Sequence, residues 1–206
     1  VSEMRNKTEY MKYIDIFPLL SIEDYYRTDT HWKQESITDV AAAIASEMGI
    51  TLDAEYETFA LEQPFYGVYY GQLALPVKPD TLYYLKNPLF DECTVTSYNT
   101  GLPEKKSVYD MEKAQGRDPY EMFLCGSDAL LTIENPNAET DKELVVFRDS
   151  FGSSLIPLFI EEYSKITLVD IRYMQSGAIG SFVEFENQDV LFLYSTLILN
   201  NSLALK

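Results

Sequence analysis

From Lys142 to Tyr194 the chain alternates apolar strand-like runs with helical stretches, and this limits the fold more than any other feature. Leu144-Val145-Val146-Phe147 contains no polar residue, so a strand there must be buried on both faces. Ser150–Ser154 follows as a small-residue turn, and Leu155, Leu158, Phe159 and Glu162 continue as a helix whose first turn accepts Pro157. Ile166–Ile171 reads as a second buried strand, Gly177–Phe185 as a weak helix and Val190–Tyr194 as a third strand. Strands separated by helical crossovers pair in parallel. The expected class is therefore α/β with a parallel sheet, and 206 residues suffice for a single domain, 1–206, with a buried core.

Upstream the grammar changes twice. Val1–Lys12 is polar and reads as a short or frayed helix. Tyr13-Ile14-Asp15-Ile16 reads as a short strand ended by Pro18. Ile37, Val40, Ala41, Ile44 and Met48 fall on one face of a 3.6-residue period, with Gly49 as the stop. Between about residues 51 and 136 that period vanishes. Strands are expected at Phe65–Tyr70, Thr81–Leu85, Thr94–Tyr98 and Leu130–Glu134, with turns at Pro76, Lys78-Pro79-Asp80, Asn87-Pro88 and Gly101-Leu102-Pro103. Asp118–Leu124 reads as a helical turn opened by Pro119. This stretch is a β-rich insertion or a set of long loops.

Charge excludes one class of partner. Sixteen basic residues against thirty-three acidic ones give a net charge of −17 and no basic stripe, so a nucleic-acid partner is not expected. No apolar run is long enough to span a bilayer, and Val1–Leu20 has no basic-then-apolar signal segment. Cys93 and Cys125 form one disulfide or none. They lack C-x-x-C spacing and a histidine cluster, so no metal site is expected. The acid-rich Asn135–Glu143 lacks the ligand spacing of a calcium loop. Sixteen tyrosines suit half-buried strands and sugar-facing clefts alike.

Two stretches carry candidate chemistry. Tyr25-Tyr26-Arg27-Thr28-Asp29-Thr30-His31-Trp32 holds the single histidine and the single tryptophan of the chain. Imidazole is the side chain that titrates near neutral pH unperturbed. Asp29, two residues earlier, shares a face with it if the backbone is extended. His31 would then lie at or just before the first turn of the helix beginning near Ile37. Alternatively Asp29 or Thr30 caps that helix while His31 and Trp32 pack. The second stretch is Arg148-Asp149-Ser150-Phe151-Gly152-Ser153-Ser154, at the carboxyl end of a parallel strand, where open sheets place their sites. There Ser150 is either a nucleophile, with the Phe151 and Gly152 amides as oxyanion donors, or a helix cap together with Asp149. The two stretches meeting would give an Asp–His–Ser site, since a serine hydroxyl needs a base and the base an orienting acid. Arg172, just past the second strand, would face the same cleft and hold an anion or pair with a surface acid. Ser195 and Asn200 are further cleft candidates.

Asp15–Leu20 with Asp29-Thr30-His31-Trp32, Lys78-Pro79-Asp80, Leu131–Pro136 and Arg148-Asp149-Ser150-Phe151 resembles the DHHW family of bacterial, mostly Firmicute, proteins. That family is similar to the SGNH-hydrolase-like proteins that O-acetylate alginate and other exported polysaccharides. The resemblance implies an SGNH-like, flavodoxin-like three-layer fold. It also implies Ser150 as nucleophile, His31 as base, Asp29 as orienting acid, no cofactor, and an extracellular or cell-surface setting. The implied activity is that of a serine esterase or O-acyltransferase acting on acyl esters of a cell-envelope carbohydrate. The rival is a catalytically idle module that binds a glycan or a surface partner. Three positions depart from the pattern. Arg148 stands where a glycine usually precedes Asp-Ser, no Gly-x-Asn-Asp element follows Val190–Tyr194, and Gly177 and Gly180 are the candidates for a second oxyanion glycine.

Overall fold

The computed structural model describes residues 2–73 and 76–201. Its strands are β1 (Glu57–Ala60), β2 (Tyr83–Lys86), β3 (Thr94–Ser97), β4 (Glu104–Lys106), β5 (Leu130–Glu134), β6 (Glu143–Arg148), β7 (Lys165–Val169) and β8 (Asp189–Leu193). Its α-helices are α1 (Ser2–Lys7), α2 (Thr38–Met48), α3 (Val68–Leu73), α4 (Leu89–Glu92), α5 (Phe151–Leu155) and α6 (Thr196–Asn200). The parallel unit read from the sequence is present, with β6 pairing in parallel with both β7 and β8.

That unit is half of a larger mixed sheet. β5 adds to β7, β3 to β5 and β4 to β3, all antiparallel, giving the order β4-β3-β5-β7-β6-β8. The expected parallel sheet is thus corrected to a mixed one. Antiparallel neighbours need no helical crossover, so short strands from the 51–136 stretch extend the sheet directly. β1 and β2 form a separate two-stranded ladder.

The doubly apolar β6 explains the core. Leu144 and Val146 join Leu131, Ile133, Ile166 and Leu168 in a large cluster with Val40, Ala41, Ile44 and the 3-10 segment Ile156–Glu162. Val145 and Phe147 point the other way, to Leu130, Val169, Ile179 and Val183. Leu144, fully buried, should cost about 2–5 kcal/mol on truncation to alanine. The second face is thinly covered toward β8, where Val190 and Phe192 remain half exposed.

Several local expectations change. Tyr13–Ile16 forms no ladder. In Phe65–Tyr70 only Phe65 pairs, as an isolated bridge to Asp80, and the chain then turns into α3. Gly177–Phe185 contains a 3-10 turn at Ser176–Ser181 instead of an α-helix. The helix after Ser150 stays α-helical only to Leu155, and the segment holding Pro157 is 3-10; proline has no N–H for the α-helical ladder. α2 begins at Thr38, so His31 lies seven residues before it and not in its first turn. Asp118 does cap the Pro119–Met122 turn, and α2 ends at Gly49.

Candidate active site

The carboxyl ends of β6, β7 and β8 lie along one edge of the sheet, and Ser150 sits just beyond the central one. The turn divides two tasks between neighbours. Asp149 does the capping, its Oδ1 accepting from the Phe151 amide at 3.0 Å and its Oδ2 from the Ser195 amide at 2.7 Å. The Ser150 side chain caps nothing, which leaves its hydroxyl for another partner.

That partner is His31, whose Nε2 lies 2.7 Å from Ser150 Oγ. On the ring's other side, Nδ1 lies 2.5 Å from Asp29 Oδ1. The Asp29–His31 contact does not come from an extended backbone. A tight loop is closed by the Tyr25–Trp32 bridge and the Tyr26 N–H to His31 carbonyl bond (3.1 Å), and within it the His31 amide also donates to Asp29 Oδ1 (3.0 Å). The remaining Asp29 oxygen accepts from the Val68 amide at 2.9 Å, so Asp29 caps α3, not α2. Burial works to raise the Asp29 pKa. The hydrogen bond and charge of His31, with the Val68 and His31 amides, outweigh it and hold the carboxyl below its ordinary value.

The imidazole is fixed from its faces too. Tyr120, fully buried, stacks on it with ring centroids 3.9 Å apart and planes 12° from parallel, and Phe151 leans on it at 5.0 Å. Ser154, one turn past the nucleophile, ties the whole arrangement together. Its Oγ accepts from Trp32 Nε1 (2.9 Å) and bonds the Tyr120 hydroxyl (2.8 Å), while its carbonyl accepts from Gln34 Nε2 (2.8 Å). The tryptophan after the histidine therefore tethers the histidine loop to the nucleophile's helix. Gly67 makes the approach of α3 possible: a Cβ there would meet Asp29 Cβ at 2.2 Å. Sequence reasoning missed Gly67, Tyr120 and Ser154. A glycine inside an aromatic run was the available signal for the first, because it marks close backbone approach. Nothing local marked the other two.

The other candidates are placed as follows. The Phe151 amide is taken by Asp149 Oδ1 and the Gly152 amide by the Asp149 carbonyl, so neither serves as an oxyanion donor as expected. Gly152 instead lets α5 pack on Arg148, whose Cβ would lie 2.8 Å from an added Cβ. The Ser150 amide itself donates to no group among the described residues. Arg172 is held by Asp170, with Nε 2.9 Å and Nη2 2.5 Å from its oxygens, so it does not project freely into a cleft. Ser195 Oγ caps α6 and Asn200 is exposed at that helix's end. Gly177 and Gly180 lie in the 3-10 turn packed through Ile179 on the sheet face opposite Trp32.

Arg148 is fully buried where a glycine was expected. Its guanidinium donates to Ser153 Oγ (2.7 Å) and to the Gly126 carbonyl (3.0 Å). That carbonyl ends a turn in which Leu124 and Cys125 adopt positive φ, 45° and 61°. Cys93 and Cys125 are free thiols, pushed up by burial to about 11 and about 12.

The fold and site define an α/β protein with a mixed sheet and a hydrogen-bonded Asp–His–Ser array, its aspartate and histidine buried, at the carboxyl edge of its parallel strands. The DHHW family model matches residues 13–169, and the chain belongs to that family. A DHHW family protein from Eubacterium siraeum is 25% identical, with a TM-score of 0.65 over 89% of this chain and 61% of its own. PatB1 from Bacillus cereus, 20% identical, superposes with a TM-score of 0.67 over 86% of this chain and 64% of its own. A second PatB1 structure, carrying a sulfonyl adduct, gives 0.65 over 86% and 62%. The chain thus spans less than two thirds of these solved structures. No curated protein matches it.

Proposed function

We propose that the protein transfers acyl groups through a serine ester, as an SGNH-hydrolase-like esterase or O-acyltransferase. The observation that carries this reading is the unbroken relay from Asp29 through His31 to Ser150, at 2.5 and 2.7 Å. With its proton on Nδ1 and donated to Asp29, the imidazole presents the Nε2 lone pair to the Ser150 hydroxyl. As Ser150 Oγ bonds to the acyl carbon, its proton passes to Nε2. The ester C–O bond then breaks and the departing alcohol takes that proton, leaving the acyl group on Ser150. A second hydroxyl, from water or a sugar, repeats the sequence in reverse. The Ser150 amide, which donates to no group among the described residues, is suited to receive the oxyanion.

Ser150 is half-buried. The described cavities, of about 380 Å³ beside α2 and about 330 Å³ over β6 and β7, are lined by neither Ser150 nor His31. We take the acceptor or donor to be an exported or cell-envelope polysaccharide and the setting to be the cell surface, both resting on the family resemblance. The sulfonyl adduct of PatB1 supports a nucleophile in a related fold. A fluorophosphonate probe followed by peptide mass spectrometry tests the reading. Labelling of Ser150 that disappears in His31→Ala is the expected result. An unlabelled Ser150 would leave a glycan-binding module without chemistry.

A further inference from the structure

We infer that Asp80 is a positioning residue for the acid of the relay, acting through Thr28 and the Gly67–Val68 turn to hold the Asp29 carboxylate on His31. The inference rests on the acyl-transfer reading for its kinetic consequence but not for its geometry. Asp80 lies fifty-one residues after Asp29 in the chain and is buried beside it. Its Oδ2 accepts from the Thr28 amide at 2.8 Å and from Thr28 Oγ1 at 2.7 Å. Its Oδ1 accepts from the Arg27 amide and Nε at 3.3 and 3.2 Å. Arg27 is largely exposed, so that ion pair is weak, and the buried bonds to Thr28 carry the contact.

Thr28 passes the restraint on. Having given its hydroxyl proton to Asp80, Oγ1 accepts from the Gly67 amide at 3.1 Å, and the Thr28 carbonyl accepts from the Tyr69 amide at 2.9 Å. Those bonds place the intervening Val68 amide 2.9 Å from Asp29 Oδ2. Asp80 also fixes the far end of the same turn, through a reciprocal pair of 2.9 Å backbone bonds with Phe65. One residue thus clamps both sides of the turn that orients Asp29. All four contacts to its carboxylate come from donors. An asparagine offers one acceptor oxygen and turns an amide NH₂ toward those donors, so Asp80→Asn releases the clamp without a change of size.

The single histidine of the chain makes the test direct, because ¹⁵N-histidine labelling reports one imidazole. In the wild type the ring should hold its proton on Nδ1. In Asp80→Asn and Thr28→Val the two tautomers should mix, and kcat on p-nitrophenyl acetate should fall about 100-fold while KM stays within about twofold. Thermal unfolding verifies that each variant is folded, and Thr28→Val decides if Asp80→Asn is not. A wild-type tautomer in the folded variants, with or without a loss of rate, overturns the inference. A wild type without turnover would sink the acyl-transfer reading, yet the imidazole spectrum would still decide the role of Asp80.

Discussion

Two Asp-x-base elements are built alike locally, and they differ in their bases. In each, a buried aspartate accepts from the amide two residues on at 3.0 Å and from that residue's side chain: Asp29 with His31, Asp170 with Arg172. The bases are not equivalent. Imidazole can take and return a proton near neutral pH, whereas guanidinium stays protonated throughout. For Arg172, burial works to lower the pKa, and the hydrogen bond and charge of Asp170 reverse the outcome. His31 also has a second nitrogen with a partner that can react, Ser150 Oγ. The same local geometry therefore gives a hydrogen-bonded chain ending on a hydroxyl in one case and a fixed ion pair in the other.

Several substitutions would break or sharpen that contrast. Ser150→Ala should remove p-nitrophenyl acetate turnover by about 10⁴-fold or more, with unfolding temperature little changed. Asp29→Asn should cost about 10⁴-fold in kcat, because the ring loses its fixed tautomer. Asp170→Asn should do the opposite. The folded variant keeps the wild-type rate, but urea unfolding shows a loss of about 3–5 kcal/mol, since Arg172 and the fully buried Arg148 then lose their compensating charge.

Acid titration gives a further check on Asp29. The Asp29 pKa lies below its unfolded value, so the stability it supplies is complete above about pH 4 and is lost as the pH falls through the lowered folded value. Asp29→Asn should accordingly flatten the acid limb of a stability–pH curve. Gly67→Ala, which forces a methyl group onto Asp29, should lower kcat about 100-fold, visible in steady-state kinetics. The smallest effect belongs to Tyr120→Phe. It keeps the ring on His31 and loses only the Ser154 bond, for about 1 kcal/mol in urea unfolding.

Residues near one another in sequence announced themselves well. Leu144–Phe147 could be read as a doubly buried strand because four consecutive apolar residues leave no face for water. α2 was legible from its apolar period, and β5 from a short apolar and β-branched run bounded by turn residues. β3 likewise falls within the expected Thr94–Tyr98 strand, but the antiparallel pairing of that half of the sheet was not legible, and β4, with three residues, carries too few side chains to set a period. Phe65–Tyr70 misled for a related reason. Aromatic residues favour strands, but the amides of Gly67 and Val68 are bonded by Thr28 and Asp29, and that bonding starts a helix.

The sequence alone determined the chemical inventory: one imidazole, an aspartate two residues before it, and a serine at a strand-to-helix turn. It also determined the strand that carries the serine, because burial of contiguous apolar residues is a local property. Tertiary structure alone decided which donors and acceptors were already committed. The Phe151 and Gly152 amides, the Arg172 guanidinium and the Ser195 hydroxyl have local partners, the Ser150 hydroxyl meets His31, and the Ser150 amide has no acceptor among the described residues. Hydrogen-bond capacity is used up in space by whatever lies within about 3 Å, and nearness along the chain does not reveal which neighbour that will be.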